Sequence, residues 1–295
     1  MTGMFPAPKV HRVPTRVGEA LRVLDWDHGG TPVVMLHPNG FCGGLYEPVA
    51  RALDGDARTI AIDLAGHGDS TTPTDPTRYR FVSMAHDVLE GARSTRPAWH
   101  RGHRRIARRS RRSAGRPTRP GPLVTAAAGR TRRLSPSLFS ADQPNPMAIA
   151  ARRRRRSFGS RDEMRAHYLS REPLSQLGAD ALDGYLQWGT IEHADGIHLA
   201  CDPDTEALVF EMSTTAHGAP AAWDHLANLS CPAVIVAGAH SFLPDVFEQQ
   251  ADRADAMLLT LPGGHFVLHE DTDRTAALIR SRVLAQPAPT PGGPL

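Results

Sequence analysis

Three stretches of this 295-residue chain put bare amides or reactive side chains on turns. His37-Pro38-Asn39-Gly40-Phe41-Cys42-Gly43-Gly44 is glycine-rich, so its backbone amides can point into a cleft and cradle a developing negative charge. The plainer reading of the same residues is a tight turn into a helix. Pro262-Gly263-Gly264-His265-Phe266 offers an imidazole on a loop, which could move protons near neutral pH or simply cap or fill. Asp63-Leu64-Ala65-Gly66-His67-Gly68-Asp69-Ser70 has the make-up of a structural turn. An amide cradle and a base are two of the three parts that nucleophilic attack on a carbonyl requires; the third is the nucleophile.

The other reactive residues are fewer. Cys42 lies on the first turn, but nothing near it in sequence lowers a thiol pKa, so it reads as inert. Asp245 is the first carboxylate after the apolar run ending Val236-Ala237-Gly238; it could orient an imidazole or cap the helix that starts near Val246. The three cysteines, Cys42, Cys201 and Cys231, are odd in number and far apart, which excludes a disulfide framework and a CxxC metal knuckle.

Each turn needs an element to present it. Residues 31–36 (TPVVML) and 59–64 (TIAIDL) read as buried strands, with a helical stretch, 46–53, between them; strand, helix, strand implies parallel pairing. Residues 81–89 have the spacing of a crossover helix. The stretch 161–228 is helical in pattern, around 161–168, 179–188 and 204–212, with no convincing strand alternation, and reads as a helical cap. Strands at 233–237 and 257–261 alternate with helices at 246–254 and 274–284, and the chain closes on a proline-rich tail.

Together the three turns, in this order, resemble the α/β-hydrolase superfamily: an HxxGF-type loop, a DxxGHGxS turn, then a late GGH. The cap, from Asn145-Pro146-Met147-Ala148 through Arg152 to Arg156 and on to Tyr168 and Ser170-Arg171-Glu172-Pro173-Leu174, looks like that of a bacterial subgroup. The resemblance implies acyl transfer to a serine and then to water. His265 would be the base and the Phe41 amide an oxyanion donor, with Asn39 and Gly40 shaping its turn; Asp245 would be the acid, although Ser241 stands at the usual GxxD position. No metal or organic cofactor is implied.

The nucleophile is where the resemblance fails. A G-x-S-x-G elbow belongs after the 81–89 helix, and the sequence contains none. Residues 91–140 instead hold 14 Arg and no Asp or Glu; with those charges set aside, the remaining chain stands at −11 against +3 for the whole. A shifted reading frame is one account: read one nucleotide later, the codons for 104–109 permit Gly-Gly-Ser-Leu-Gly-Gly, with its serine over Ile106. Those for 127–135 permit Leu-Leu-Ala-Glu-Pro-Val-Val-Phe-Pro, a buried strand and its exit. The alternative is a genuine arginine arm, solvated or bound to nucleic acid through phosphates, which the lack of interleaved aromatic residues disfavours.

With 40% hydrophobic and 22% charged residues, the whole chain is not coiled coil, collagen or wholly disordered. No apolar run has the ~18 to 20 residues of a membrane span, so a cytoplasmic protein without a membrane is expected. The expected organisation is an extension, 1–20; an α/β-hydrolase core, 21–90 and 229–285, built on a mostly parallel sheet; the anomalous segment, 91–140; a helical cap, 141–228, over a small-molecule substrate; and a disordered tail, 286–295. The expected function is hydrolysis of ester or related acyl bonds, impaired by the missing elbow. A non-catalytic ligand-binding homologue is the alternative.

Overall fold

The computed structural model describes residues 5–27, 29–94 and 144–285. The expected elbow at 104–109, the strand at 127–135, most of the 91–140 segment and the tail lie outside them.

The first sheet runs in the order β1-β2-β4-β3, with β1 Lys9–Pro14, β2 Ala20–Trp26, β3 Thr31–Leu36 and β4 Ala57–Ile62. β3 and β4 pair in parallel, Val33 opposite Thr59, as a strand-helix-strand unit requires; α1, Glu47–Ala52, makes the crossover. β4 is buried at every position, which is why TIAI reads as one apolar run with no alternation. β1 and β2 are antiparallel additions, so residues expected as an N-terminal extension contribute the edge of the sheet. β1 escapes a sequence reading because an edge strand is covered on one side only, and in KVHRVP the single deeply buried residue is Val13.

Side chains alternate across the sheet. Leu24, Trp26, Val33, Met35 and Ala61 pack with α1 and with α10, Thr272–Ile279, whereas Leu21, Val23, Ile60 and Ile62 pack against Val88 of α2, Phe81–Ser94. A second parallel pair, β8 Val234–Gly238 and β9 Met257–Leu261, is joined through α8, Pro244–Ala254. The short helix α9, Val267–Glu270, follows β9.

The cap holds α3 Pro146–Arg152, α4 Arg161–Leu169, α5 Ala179–Trp188, α6 Pro203–Thr214 and α7 Ala219–Leu226. Asn145, Ser160 and Asp202 cap α3, α4 and α6 with their side chains. The cap is not wholly helical, which corrects the expectation for 161–228. β6, Thr190–His193, and β7, Gly196–Leu199, form a hairpin, and β5, Ser157–Phe158, pairs with β7. Each strand is four residues or fewer, too short for alternation to stand out; Ala194-Asp195-Gly196, with Gly196 at φ 135°, turns the hairpin. Phe158, Met164, Tyr168, Leu182, Tyr185 and Leu186 meet Phe41, Leu45 and Phe266 of the core in one apolar cluster, which seats the cap on the sheet.

Candidate active site

The loop leaving β3 is a tight turn. Phe41 N–H donates to Pro38 O at 3.1 Å and Gly40 sits at φ 82°, a conformation that favours glycine. Space demands glycine there as well, since a Cβ on Gly40 would stand 2.6 Å from the Glu206 carboxyl carbon and 2.9 Å from Arg154 Nη1. Core and cap hold the turn from opposite sides. Gly40 N–H donates to His67 Nε2 at 3.1 Å, Tyr185 OH donates to Gly40 O at 3.2 Å, and Asn39 Nδ2 donates to Glu206 O at 2.9 Å.

Two imidazoles support this loop from beneath. His37 accepts from Leu64 N–H at 3.0 Å and faces Pro38 O with Nδ1 at 2.9 Å, while His67 Nδ1 lies 2.9 Å from Ala65 O; their rings are 5.0 Å apart. Burial pushes His37 down to about 4 and His67 to about 3, so both are neutral wherever the protein is folded near pH 7. The sequence reading of Gly66-His67-Gly68 as a structural turn agrees with this geometry. Beneath the next residues, Asp63 accepts from Gly43 N–H at 2.6 Å and is ion-paired with the buried Arg22, whose Nη2 donates to Trp188 O at 2.8 Å. Burial raises the Asp63 pKa, opposed by Arg22 and the amides it accepts from.

His265 follows β9 and is buried. It reaches the turn through one intervening ring: Phe266 lies 5.4 Å from His265 and 5.4 Å from Phe41, centroid to centroid. Phe242 packs on the imidazole at 4.2 Å, with Phe247 at 6.5 Å. The Glu270 carboxylate accepts the Gly264 amide at 2.8 and 3.0 Å and so fixes the residue before the histidine. His265 Nδ1 is 3.0 Å from Ser241 Oγ.

Asp245 is not at that position. It is exposed in the first turn of α8, where it complements the helix N-terminus, and the N-cap is Leu243 rather than Asp245. Asp245 lies four positions after Ser241, enough to carry the carboxylate out of the loop and onto the helix. Of the five residues singled out in sequence, Phe41, Asn39 and Gly40 share the turn and the Phe266 ring stands between it and His265; Asp245 lies apart. Ser241 occupied the expected GxxD spacing, and that spacing was the available signal.

The cap residues over the turn carried little signal beyond the arginine run. Arg154 is ion-paired with Glu206 and donates to Tyr168 OH at 2.9 Å and Tyr185 OH at 3.3 Å. Arg152 pairs with Glu211, Arg155 with Glu163, and Arg156 with Asp202 and Asp204. The run is therefore met largely by carboxylates of α6 and its N-terminal cap. Cys42 and Cys201 are buried, and burial raises both thiols, which leaves them protonated and unreactive; Cys231 is exposed. Among the described residues no group of His, Cys, Asp and Glu could hold a metal ion, and no helix is long and apolar enough to cross a membrane.

Residues 31–93 match the family model described as the alpha/beta hydrolase fold. A haloalkane dehalogenase of Agrobacterium fabrum (strain C58) is 35% identical over 75 residues, 24% of this chain; the match spans 25% of that protein's length. The crystal structure of E-2-(acetamidomethylene)succinate hydrolase superposes with a TM-score of 0.66 at 19% identity, covering 93% of this chain and 98% of that one. The thioesterase domain from the curacin biosynthetic pathway gives 0.64 at 17% identity, covering 94% and 100%.

Proposed function

This chain has the α/β-hydrolase fold, and from that premise we propose that its site is built to hydrolyse ester or related acyl bonds of a small apolar molecule held under the cap. The observation that carries the reading is a buried histidine on the loop after the last strand, held at Nδ1 by a side chain and separated by one phenylalanine from a glycine-shaped turn of amides. His265 Nε2, the nitrogen opposite Ser241, would take a proton from the attacking group and return it to the leaving group. A developing oxyanion would share the Phe41 N–H with Pro38 O, while Asn39 and Gly40 keep the turn in shape.

The nucleophile of such a site would lie in the segment outside the described residues, whose sequence contains no G-x-S-x-G. We therefore propose that this chain turns over poorly. Removing a serine nucleophile costs on the order of 10⁶ in turnover, with a residual ~10³ to 10⁴ over water from binding and the oxyanion hole. Incubation of the chain with a fluorophosphonate checks this: no stoichiometric adduct is expected, and rapid one-to-one labelling would refute impairment. Sequencing the gene across codons 91–145 then decides between a shifted frame and a genuine arginine segment.

The turn and cap are tied together by hydrogen bonds of their own, which favours a second reading, a ligand-binding protein without turnover. A thermal shift with small esters or acids in the absence of turnover would support it.

A further inference from the structure

The loops after β3 and β4 each send an imidazole to the other. His37, on the loop after β3, accepts the Leu64 N–H of the loop after β4 at Nε2, 3.0 Å away. His67, on the loop after β4, accepts the Gly40 N–H of the loop after β3 at Nε2, 3.1 Å away. At Nδ1 each ring meets a carbonyl of its own loop, Pro38 O and Ala65 O, both at 2.9 Å. A carbonyl only accepts and an amide N–H only donates, so each ring carries its proton at Nδ1 and leaves Nε2 bare. The rings lie 5.0 Å apart and both are buried, which opposes a second proton on either. Asn39 adds a constraint at His67. Its Nδ2 donates to Glu206 O, which turns Oδ1 toward His67 Nε2 at 3.0 Å, acceptor facing acceptor.

We propose that His37 and His67 are the positioning residues of the turn after β3, a reciprocal clasp that withholds the Gly40 N–H from a bound anion and lets the Phe41 N–H be given to it. This rests on reading that turn as the anion cradle. Phe41 N–H donates to Pro38 O, and the same carbonyl has a second donor in His37 Nδ1–H. When an anion draws the Phe41 amide away, the carbonyl of the buried Pro38 keeps the imidazole donor, so the exchange strands no polar group. Drawing the Gly40 amide away would instead leave His67 Nε2 facing the Asn39 oxygen with no hydrogen between them. The two neighbouring amides therefore differ in what their release costs, and the imidazoles set that difference.

NMR spectra of the full chain, labelled with ¹⁵N, test this without any turnover. In the unaltered chain, ¹⁵N–¹⁵N couplings across hydrogen bonds should link Gly40 N to His67 Nε2 and Leu64 N to His37 Nε2, and both rings should show the Nδ1–H tautomer alone. Benzoate, whose carboxylate stands in for the oxyanion, should shift the Phe41 amide and leave the Gly40 amide and its coupling in place. In His67→Leu the Gly40 amide proton should lose its hydrogen-bonded shift and respond to benzoate alongside Phe41. His67→Gln, whose side-chain oxygen can accept from the same amide, should restore the behaviour of the unaltered chain. A ring that merely fills space predicts Leu and Gln variants alike, and that result overturns the proposal. Absent couplings, an Nε2–H tautomer on either ring, or a Gly40 amide that shifts with benzoate in the unaltered chain would also overturn it. If His67→Leu does not fold, the couplings and the benzoate titration of the unaltered chain decide. Benzoate moving neither amide while both couplings are present sinks the cradle reading and leaves the clasp; missing couplings with a shifted Phe41 amide do the reverse.

Discussion

The turn after β3 rests on a buried ion pair, two buried imidazoles and two hydrogen bonds shared with the cap, whereas among the described residues the loop bearing His265 is held by backbone hydrogen bonds, Glu270 and Ser241. The strands beneath differ in the same sense: β4 is buried throughout, while β8 and β9 are partly exposed along much of their length. Among the described residues, ion pairs and burial are concentrated under the turn after β3, and backbone hydrogen bonds predominate around the loop after β9. The first region should therefore be stiff and sensitive to pH, and the second more tolerant of substitution.

The largest expected effect tests the pH side of this contrast. His37 is held at about 4, and His67 and His269 at about 3, all by burial. The unfolded chain takes up these protons near pH 6.5, so the stability they contribute is complete above that value and drains away as pH falls toward 4 and then 3. Each group accounts for at most ~1.4 kcal/mol per pH unit, and together they should remove about 5 kcal/mol between pH 7 and 5, an effect the raised Asp63 partly offsets. Urea titrations across that range measure it. His269 packs on Tyr46 at 4.9 Å, and neither of its ring nitrogens has a hydrogen-bond partner among the described residues. His269→Phe should accordingly flatten the slope by about a third; an unchanged slope would place the sensitivity elsewhere.

Next in size is Asp63→Ala, which strands the Arg22 guanidinium and the Gly43 amide and should cost about 3 to 5 kcal/mol by chemical denaturation. Ser241→Ala removes two neutral hydrogen bonds, one with His265 Nδ1 and one from Leu243 N–H, and should cost about 2 kcal/mol in the same assay. Comparable losses from these two variants would erase the distinction between the loops. The smallest effect belongs to the surface clasp: Arg156 pairs with Asp202 and Asp204 in solvent, and Arg156→Ala should lower stability by under about 0.5 kcal/mol.

Much of the architecture was legible in the residue pattern. Parallel strands announce themselves as short runs of Val, Ile, Leu and Met, and β3, β4, β8 and β9 lie where those runs fall, as do α1, α2 and most cap helices. The edge strand β1 and the cap hairpin were not legible, because a strand of a few residues covered on one face leaves two or three apolar positions, no more than a loop contains. In the site, glycines that must take positive φ and a histidine behind a glycine pair were visible, whereas Arg154, Glu206 and Tyr185 gave no sign of converging on Gly40.

Sequence alone placed the amide turn and His265 after their strands, because local propensity and burial pattern act over a few residues at a time. It also showed that the arginine-rich window contains no G-x-S-x-G pentapeptide. What touches the imidazole was decided by tertiary structure: Ser241 and Asp245 are near neighbours in the chain, and the registry of β8 on β9 delivers the hydroxyl to Nδ1 while α8 carries the carboxylate into solvent. Contacts across 24 residues, or across the 166 between Arg22 and Trp188, depend on how the sheet and cap pack, and no local pattern encodes that packing.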